Sequence, residues 1–360
     1  MIKDAKYPFN IIYSCDFDLR RTEGKERATK DKLSALSGKV REVKVFSSPF
    51  ENQILKLISV LLVDIVSAIN VLIKRPDFFI SRGYVGWLPQ KVARFLGVTT
   101  VRELHADALG ESDLLPYQGV KLQLIKALAL LSHRIDVGAN VRIFNHPDLL
   151  SWYRENGNFG ESDFHVYNGY SPESVSNLTK SEARQLFGIG ANEKVAVFVG
   201  AVSKWHGVDF LVALQAELMA LGSDIRIVIG GGDASAFDPE KLCINYTPMD
   251  SAGCFNLIKA SDLCLLPVKN NRASPGSPLK LYDYLSNERF VLAQADTNGY
   301  SDEVVKYGVG WTVDFSDAKA TAEKVVTIFE SALPDRFPDC PVTWSHRIDE
   351  WLRGLARVRG

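Results

Sequence analysis

Apolar and polar positions along the chain follow two alternating regimes, short continuous apolar runs and longer stretches with helical spacing. The runs at 9–15, 40–46, 77–81 and 98–104 have the length and β-rich content of strands. The stretches at 25–37, about 50–74 and 85–96 between them place apolar residues on one helical face. A Leu-rich helix over 117–132, a strand near 135–137, a helix over 147–155 and a short strand over 165–168 complete a first half. The alternation restarts with strands at 194–200, 225–229 and 242–246, helices at 208–221 and 252–260, a strand at 263–266, a helix at 277–287 and strands at 290–293 and 311–313. Helices over 318–330 and 344–358 close the chain. Strands alternating with helices predict doubly wound parallel sheets. The Gly-, Pro-, Ser- and Asn-rich segment NGYSPESVSN predicts a solvated crossing between two domains.

The helix near 50–74 has an unusual pattern. Lys56, Ser59, Asp64, Ser67, Asn70 and Lys74 recur every three to five positions, so they share one face and leave a wide apolar one. Lys56, Asp64 and Asn70 argue against a membrane span.

Composition narrows the class. A chain of 360 residues, 46% hydrophobic and 24% charged, suits two ordinary domains of a soluble globular protein. The net charge of −1 divides into +4 over residues 1–170 and −5 over the remainder. That asymmetry is far short of a nucleic-acid-binding signature, yet compatible with an anionic membrane surface. Cys15, Cys243, Cys254, Cys264 and Cys340 form no C-x-x-C pair, and three sit in or beside apolar runs as small core residues, so a reducing cytoplasm is the simplest setting. The first ten residues lack the apolar region of a secretory signal.

Ligands of α/β sheets bind beyond the carboxyl ends of the strands, so the residues after each apolar run carry the information. The second half offers GAVSKWHG after Val199, GGGD after Ile229, YTP after Asn245 and ASPGSPLKLYDYL after the run at 263–267. Gly200 and the glycines at 230–232 permit close backbone approach to a ligand, or serve tight turns. In the last stretch a helix N-terminus, the charge of Lys280 and the acceptor Asp283 one turn on suit a nucleoside diphosphate carrying a sugar. The bland reading of Lys280 is a solvated helix lysine.

FVGAVSKWHGVDFL, IRIVIGGGD, CINYTP, SDLCLLP, SPLKLYDYL and NGYSDEVVKYGVGWTV occur in the order and spacing of the C-terminal domain of the retaining glycosyltransferases of family 4. RELHADALGE and VYNGYSPE are similar to that family's histidine-bearing strand end and interdomain signature. The resemblance covers residues 9–352, with W-H-G and S-P-L-K marking a subgroup. It implies an α/β GT-B fold, two Rossmann-like doubly wound parallel-sheet domains facing across a cleft. The acceptor domain would span 1–170, the nucleotide-sugar donor domain 171–335, and a C-terminal helix over 336–360 would cross back to the first domain. It also implies sugar transfer with retention from a nucleotide diphosphate sugar to a glycan, lipid-linked or other glycoconjugate acceptor, with no metal or other cofactor.

Carried over by motif position, His105 lies beside the sugar, Glu103 orients its loop and Asp107 faces the acceptor. Lys280 and His206 face the diphosphate, with Lys204 or Arg272 in support. Gly24, Gly200, Gly231, Gly276, Ser277 and Leu279 approach the donor, Tyr246 and Thr247 its base, and Asp283 the ribose hydroxyls. A satisfied core histidine is the alternative for His105.

The chain departs from the family where it carries Ala201 and His206 in place of an Arg and a Lys, and Pro275 in place of the first acid of E-x7-E. Contact with the transferred sugar then falls to the N–H groups around Gly276 and Ser277. Two other functions stay open, a nucleotide-sugar epimerase of the same fold and a binding or scaffold protein that has lost transfer. Asp16-Phe17-Asp18 is a D-x-D, the metal motif of a different glycosyltransferase fold, but three-residue matches are common by chance. Peripheral contact with the inner face of an anionic membrane, through the apolar face of 54–73 and the bases Arg20, Arg21, Lys25, Arg27, Lys30 and Lys32, stands beside a core-packed helix with a solvated charged face. No nucleic-acid partner is expected.

Overall fold

The computed structural model of the chain describes residues 6–21, 24–50, 53–113, 118–157, 160–202, 206–234, 236–238, 240–246, 248–269, 275–295, 301–331, 333–334, 336–340 and 342–359. Two compact units result. The first comprises Met1–Gly169, Ala273–Ser277 and Thr343–Gly360, the second Tyr170–Arg272 and Pro278–Val342.

The first unit runs β1 (Tyr7–Cys15), α1 (Gly24–Ser37), β2 (Val40–Ser47), α2 (Gln53–Lys74), β3 (Phe78–Arg82), α3 (Trp87–Phe95), β4 (Thr99–Leu104), α4 (Ala108–Asp113), α5 (Gly119–Gly138), β5 (Val141–Phe144), α6 (Pro147–Glu155) and β6 (Phe164–His165). The second runs α7 (Lys180–Leu186), β7 (Val195–Gly200), α8 (Val208–Ala220), β8 (Arg226–Gly231), β9 (Ile244–Tyr246), α9 (Ser251–Ala260), β10 (Leu263–Leu266), α10 (Leu279–Ser286), β11 (Val291–Gln294), α11 (Asp302–Tyr307), β12 (Gly310–Val313) and α12 (Ala318–Glu330). The last helix, α13 (Trp344–Arg359), belongs to the first unit.

The first sheet has the order β2-β1-β3-β4-β5-β6, and every pairing in it is parallel. Right-handed crossovers put α1 on one face, while α2, α3 and α5, which lead to strands on the other side of β1, cover the opposite face. Two cores follow this division. Leu33 and Leu36 of α1 pack with Ile348, Trp351, Leu352 and Leu355 of α13 against Ile11, Tyr13, Phe78 and Ile80. Val71 of α2 and Ala93 of α3 pack against Ile12 and Phe79. The second sheet is also wholly parallel, with the order β12-β11-β10-β7-β8-β9. Its inner strands β7, β10 and β11 are buried on both faces, so they read as unbroken apolar runs such as Leu263–Leu266, while the edge strands β9 and β12 are not fully buried.

One predicted strand is corrected. The segment 135–137 is the last part of α5, which runs to Gly138. Ala129, Ser132, Ile135 and Asp136 face inward at helical spacing, and Asp136 pairs with the Arg102 guanidinium inside the unit. The strand comes later, at Val141–Phe144, where the buried Arg142 interrupts the apolar signal. Asp163 accepts from Arg142 Nε at 2.8 Å and so makes that burial tolerable. The last strand is only Phe164–His165, and the short helices α4, α7 and α11 were not anticipated.

The long helix α2 is turned opposite to the usual arrangement. It buries Ser59, Val63, Asp64, Ser67, Ala68 and Val71, while among its described residues nine large apolar side chains remain 38% to 69% exposed. Polar partners on the sheet side account for this. Asp64 accepts from the N–H of Gly86 at 2.6 Å and of Leu88 at 3.1 Å, capping the start of α3, and the Ser67 and Ser14 hydroxyls share a hydrogen bond of 2.8 Å. Burial pushes the Asp64 carboxyl up, against the pull of those N–H donors. Asp64→Ala leaves two N–H groups unpaired, at a cost of about 1–2 kcal/mol, to be read as a lower denaturation midpoint by circular dichroism.

Candidate active site

The sequence-derived site residues fall into two groups, each within one unit.

In the first unit, β4 delivers Glu103 and, just past its end, His105 to a pocket with about 310 Å³ of empty space, part of it open solvent. Asn145 and Tyr167 come from beyond β5 and β6, Lys32 from α1, and Trp344, Arg347 and Trp351 from α13. Glu103 is the hub. Its carboxylate pairs with Lys32 Nζ, accepts from Tyr13 Oη at 2.7 Å and from His105 Nε2 at 2.6 Å, and has Arg82 Nη1 at 3.7 Å. Burial pushes the Glu103 carboxyl up, but Lys32, His105 and Arg82 outweigh it and hold the group well below the usual carboxylate range. Lys32 is pushed down to about 8 by burial, with Glu103 opposing. Its ammonium also lies 5.1 Å from the Tyr13 ring centroid and 5.7 Å from that of Trp351.

Burial and Arg82 push the His105 imidazole down to about 4. It is therefore neutral at physiological pH, donating from Nε2 to Glu103 while Nδ1 faces Asn145 Nδ2 at 3.3 Å. Asn145 is 5% exposed, and its Oδ1 has no partner among the described residues. His105 Nδ1 thus accepts from Asn145 Nδ2, and Asn145 Oδ1 is the acceptor on the pocket wall without a partner among the described residues, suited to a hydroxyl donor. Two cations line the pocket, Lys32 paired with Glu103 and Arg347 with Glu350 at 3.6 Å.

Asp107 has another occupation. Its carboxylate accepts from the N–H of Leu109 at 3.2 Å and of Gly110 at 2.8 Å, capping α4. Gly24 opens α1 with φ +50. Gly276 and Ser277 belong to the first unit, where the Ser277 carbonyl accepts from Asn168 Nδ2 at 3.1 Å. Pro275 is buried. In the D-x-D segment Asp16 is 3% exposed and Asp18 pairs with Arg20 at 2.7 Å. Lys32, assigned above to a solvated basic run, is instead 3% exposed inside the pocket network, because α1 turns it toward Glu103 along with Leu33 and Leu36.

In the second unit, Gly200 and Gly231 are register partners at the carboxyl ends of β7 and β8, with φ +119 and +102. A Cβ at Gly231 would stand 2.8 Å from Gly200 N, so that position is closed to side chains. A Cβ at Gly200 would stand 2.5 Å from Lys280 Cε. The glycine is thus the space across which the Lys280 side chain lies, its ammonium 5.3 Å from the Phe198 centroid. His206 packs against the same ring, 6.5 Å between centroids. Lys280 rises from the first turn of α10, behind Leu279 and the N-cap Pro278, whose side chain offers no capping acceptor to that helix start. Asp283 follows on the same helix, half-buried. Ala201 is exposed beyond β7. The Tyr246 hydroxyl donates to Phe187 O at 2.6 Å. Lys204, Thr247 and Arg272 lie outside the described residues.

Burial lowers Lys280 to about 8, with Asp283 opposing. Below that value the ammonium is charged and available to an anion, and above it the charge is lost. Affinity for a nucleoside diphosphate is expected to fall as pH rises from 8 to 9, approaching tenfold per unit, whereas an ordinary lysine would hold its charge to about 10. Calorimetric titration of UDP across that range checks this, and Lys280→Arg should flatten the alkaline limb.

Sequence reasoning missed Lys32, Asn145, Arg347 and Trp351. Asn145 directly follows a strand end and would have been found by the strand-end rule had β5 been located. For Lys32 the signal was a lone lysine on the apolar face of its helix. Arg347 and Trp351 come from α13, far away in sequence, and nothing local marks them.

Two units with wholly parallel six-stranded sheets and flanking helices define the α/β GT-B fold. Particular solved structures share it. Sucrose-phosphate synthase from Thermosynechococcus elongatus matches with 14% identity over 97% of this chain and 94% of that chain, TM-score 0.65. Anabaena HepE in complex with UDP-glucose matches with 15% identity over 97% and 96%, TM-score 0.62. A Listeria monocytogenes structure described as a "putative UDP-N-acetylglucosamine 2-epimerase" matches with 10% identity over 95% and 94%, TM-score 0.57. No family model matches the sequence, and no curated protein matches it either. At these identities the likeness establishes the fold.

Proposed function

We propose that the protein is a glycosyltransferase that moves a sugar from a nucleotide diphosphate sugar to a glycan, lipid-linked or other glycoconjugate acceptor, with retention of anomeric configuration. The observation that carries this reading is Lys280, desolvated across Gly200 at the end of β7 and at the start of α10. A fixed cation beside a helix N-terminus is the preorganised environment that stabilises charge on an expelled diphosphate. In the proposed reaction Lys280 and the α10 N-terminus hold the leaving group, and Asp283 accepts from ribose hydroxyls. Within the first unit, Asn145 Oδ1 is the open acceptor for a hydroxyl, beside the neutral His105 that Glu103 fixes. The leaving phosphate removes the acceptor proton, so the chemistry asks for no carboxylate base, and no metal is assigned a role.

The resemblance to retaining glycosyltransferases and the fold shared with a protein solved with UDP-glucose support the same reading. The fold shared with the Listeria monocytogenes structure so described keeps an epimerase as a second reading in view. An epimerase needs an acid and a base at the sugar, and His105, pushed down to about 4, is a poor acid at neutral pH. A panel of UDP-, GDP- and dTDP-sugars, read by thermal shift and by nucleotide release with and without glycan acceptors, tests the proposal. Stabilisation by a donor and acceptor-dependent release are expected. Interconversion of donor sugars without nucleotide release would favour the epimerase, and failure to bind any donor would leave a scaffold role.

A further inference from the structure

We propose that the α2–α3–α5 face of the first unit docks, with α2 lying in the membrane plane, on an anionic lipid bilayer. The apolar side of α2 is left uncovered by the described residues. Ile58, Leu61, Leu62, Ile65, Ile69 and Ile73 are between 38% and 69% exposed along its length. The neighbouring helices continue the surface, with Trp87 at 45% and Phe95 at 89% on α3, and Val120 at 82% on α5. All three helices cover the same side of the sheet, and α3 packs against both others. An apolar surface of this extent is a contact surface by ordinary standards of soluble proteins.

The attachment of α2 determines how it meets lipid. Its inner stripe is tied to the unit along the helix, by Asp64 to the N–H groups of Gly86 and Leu88, by Ser67 to Ser14, and by Val71 in the core. A helix fixed in this way does not turn to cross a bilayer, although its apolar length would suffice. It lies flat, with its outer face at the depth of an interfacial helix.

Charge selects the occupant. The only acids in the three helices are Asp64 and Asp136, both buried. Lys74, Lys91, Arg94 and Arg134 are exposed on them. Lys91 Nζ stands 3.8 Å from the Trp87 centroid, an aromatic and a base together as at a headgroup boundary. Against a second copy of the chain, a two-fold contact through this face would bring bases onto bases. The basic residues of α1 take no part, since α1 covers the opposite side of the sheet.

The proposal is independent of the transferase reading, and vesicle flotation tests it without turnover. Binding is expected to vesicles of phosphatidylcholine with about 30% phosphatidylglycerol, and much less to phosphatidylcholine alone. Leu61→Ser/Ile65→Ser/Ile69→Ser should weaken it at least tenfold, roughly the loss of a few buried side chains. Lys91→Glu/Arg94→Glu, which leaves the apolar face intact, should weaken it several-fold and reduce its salt sensitivity. Thermal unfolding verifies that each variant is folded, and the charge variant decides should the apolar one fail. The idea is overturned if the wild type ignores anionic vesicles, or if neither variant changes binding. A wild-type dimer that the apolar variant dissociates, with no vesicle binding, overturns it in favour of a second copy.

Discussion

Lys280→Ala is expected to lower transfer about a hundredfold, the scale seen when one preorganised donor to a developing anion is removed. The size of the effect follows from position. The ammonium is held across Gly200 and over Phe198, and burial has already removed much of its water, so little further reorganisation is needed when a diphosphate arrives. Gly200→Ala approaches the same interaction from the other side, since its Cβ would meet Lys280 Cε at 2.5 Å and its φ of +119 is unfavourable for alanine. It should weaken UDP binding in the same direction with the lysine retained. Asp283→Ala should cost at least about tenfold, or 1.4 kcal/mol. These values are read as nucleotide release with the donor that the panel selects. Near wild-type turnover in both Lys280→Ala and Asp283→Ala would remove α10 from the site.

The largest expected loss of stability lies in the first unit. Glu103→Gln strips the carboxylate charge that pairs with Lys32, faces Arg82 at 3.7 Å and orients His105. Breaking a buried pair on one side costs about 3–5 kcal/mol, because the remaining charge stays buried. Calorimetry should show a clear fall in the unfolding midpoint, and Lys32→Met/Glu103→Gln should recover most of it by removing both members. An unchanged midpoint in the single variant would show that the pair does not hold the unit together.

The acid dependence has a definite sign. His105 is pushed down to about 4, so between the ordinary histidine value and 4 the unfolded chain takes up a proton that the fold refuses, and stability falls as pH is lowered through that window. Glu103, held well below its ordinary value, contributes stability above that value and loses it at still lower pH. Both effects act in the same direction, toward acid lability.

The alternation of strands and helices was legible because wholly parallel sheets bury both faces of their inner strands, so Leu263–Leu266 and the strand ending at Gly200 are plain apolar runs. β5 was misplaced for the same reason in reverse. Its Arg142 is buried only because Asp163 meets it from a segment some twenty residues on, a partner that no local pattern announces. The orientation of α2 was hidden in a similar way. Its amphipathic pattern was evident, but which face turns inward depended on Ser14 from β1 and on the N–H groups at the start of α3.

The candidate chemistry divides along the same line. The sequence by itself determined the two α/β halves, the glycines at the strand ends and the local stretch from Leu279 to Asp283, because helix starts, strand ends and glycine turns are set by neighbouring residues. Only the tertiary structure decided that Lys280 lies across Gly200, that Lys32 and Arg82 converge on Glu103 beneath His105, and that α2 shows its apolar face outward. Each of those is a contact between groups far apart in the chain. Its energy depends on burial and on the partner supplied, which composition and spacing do not encode.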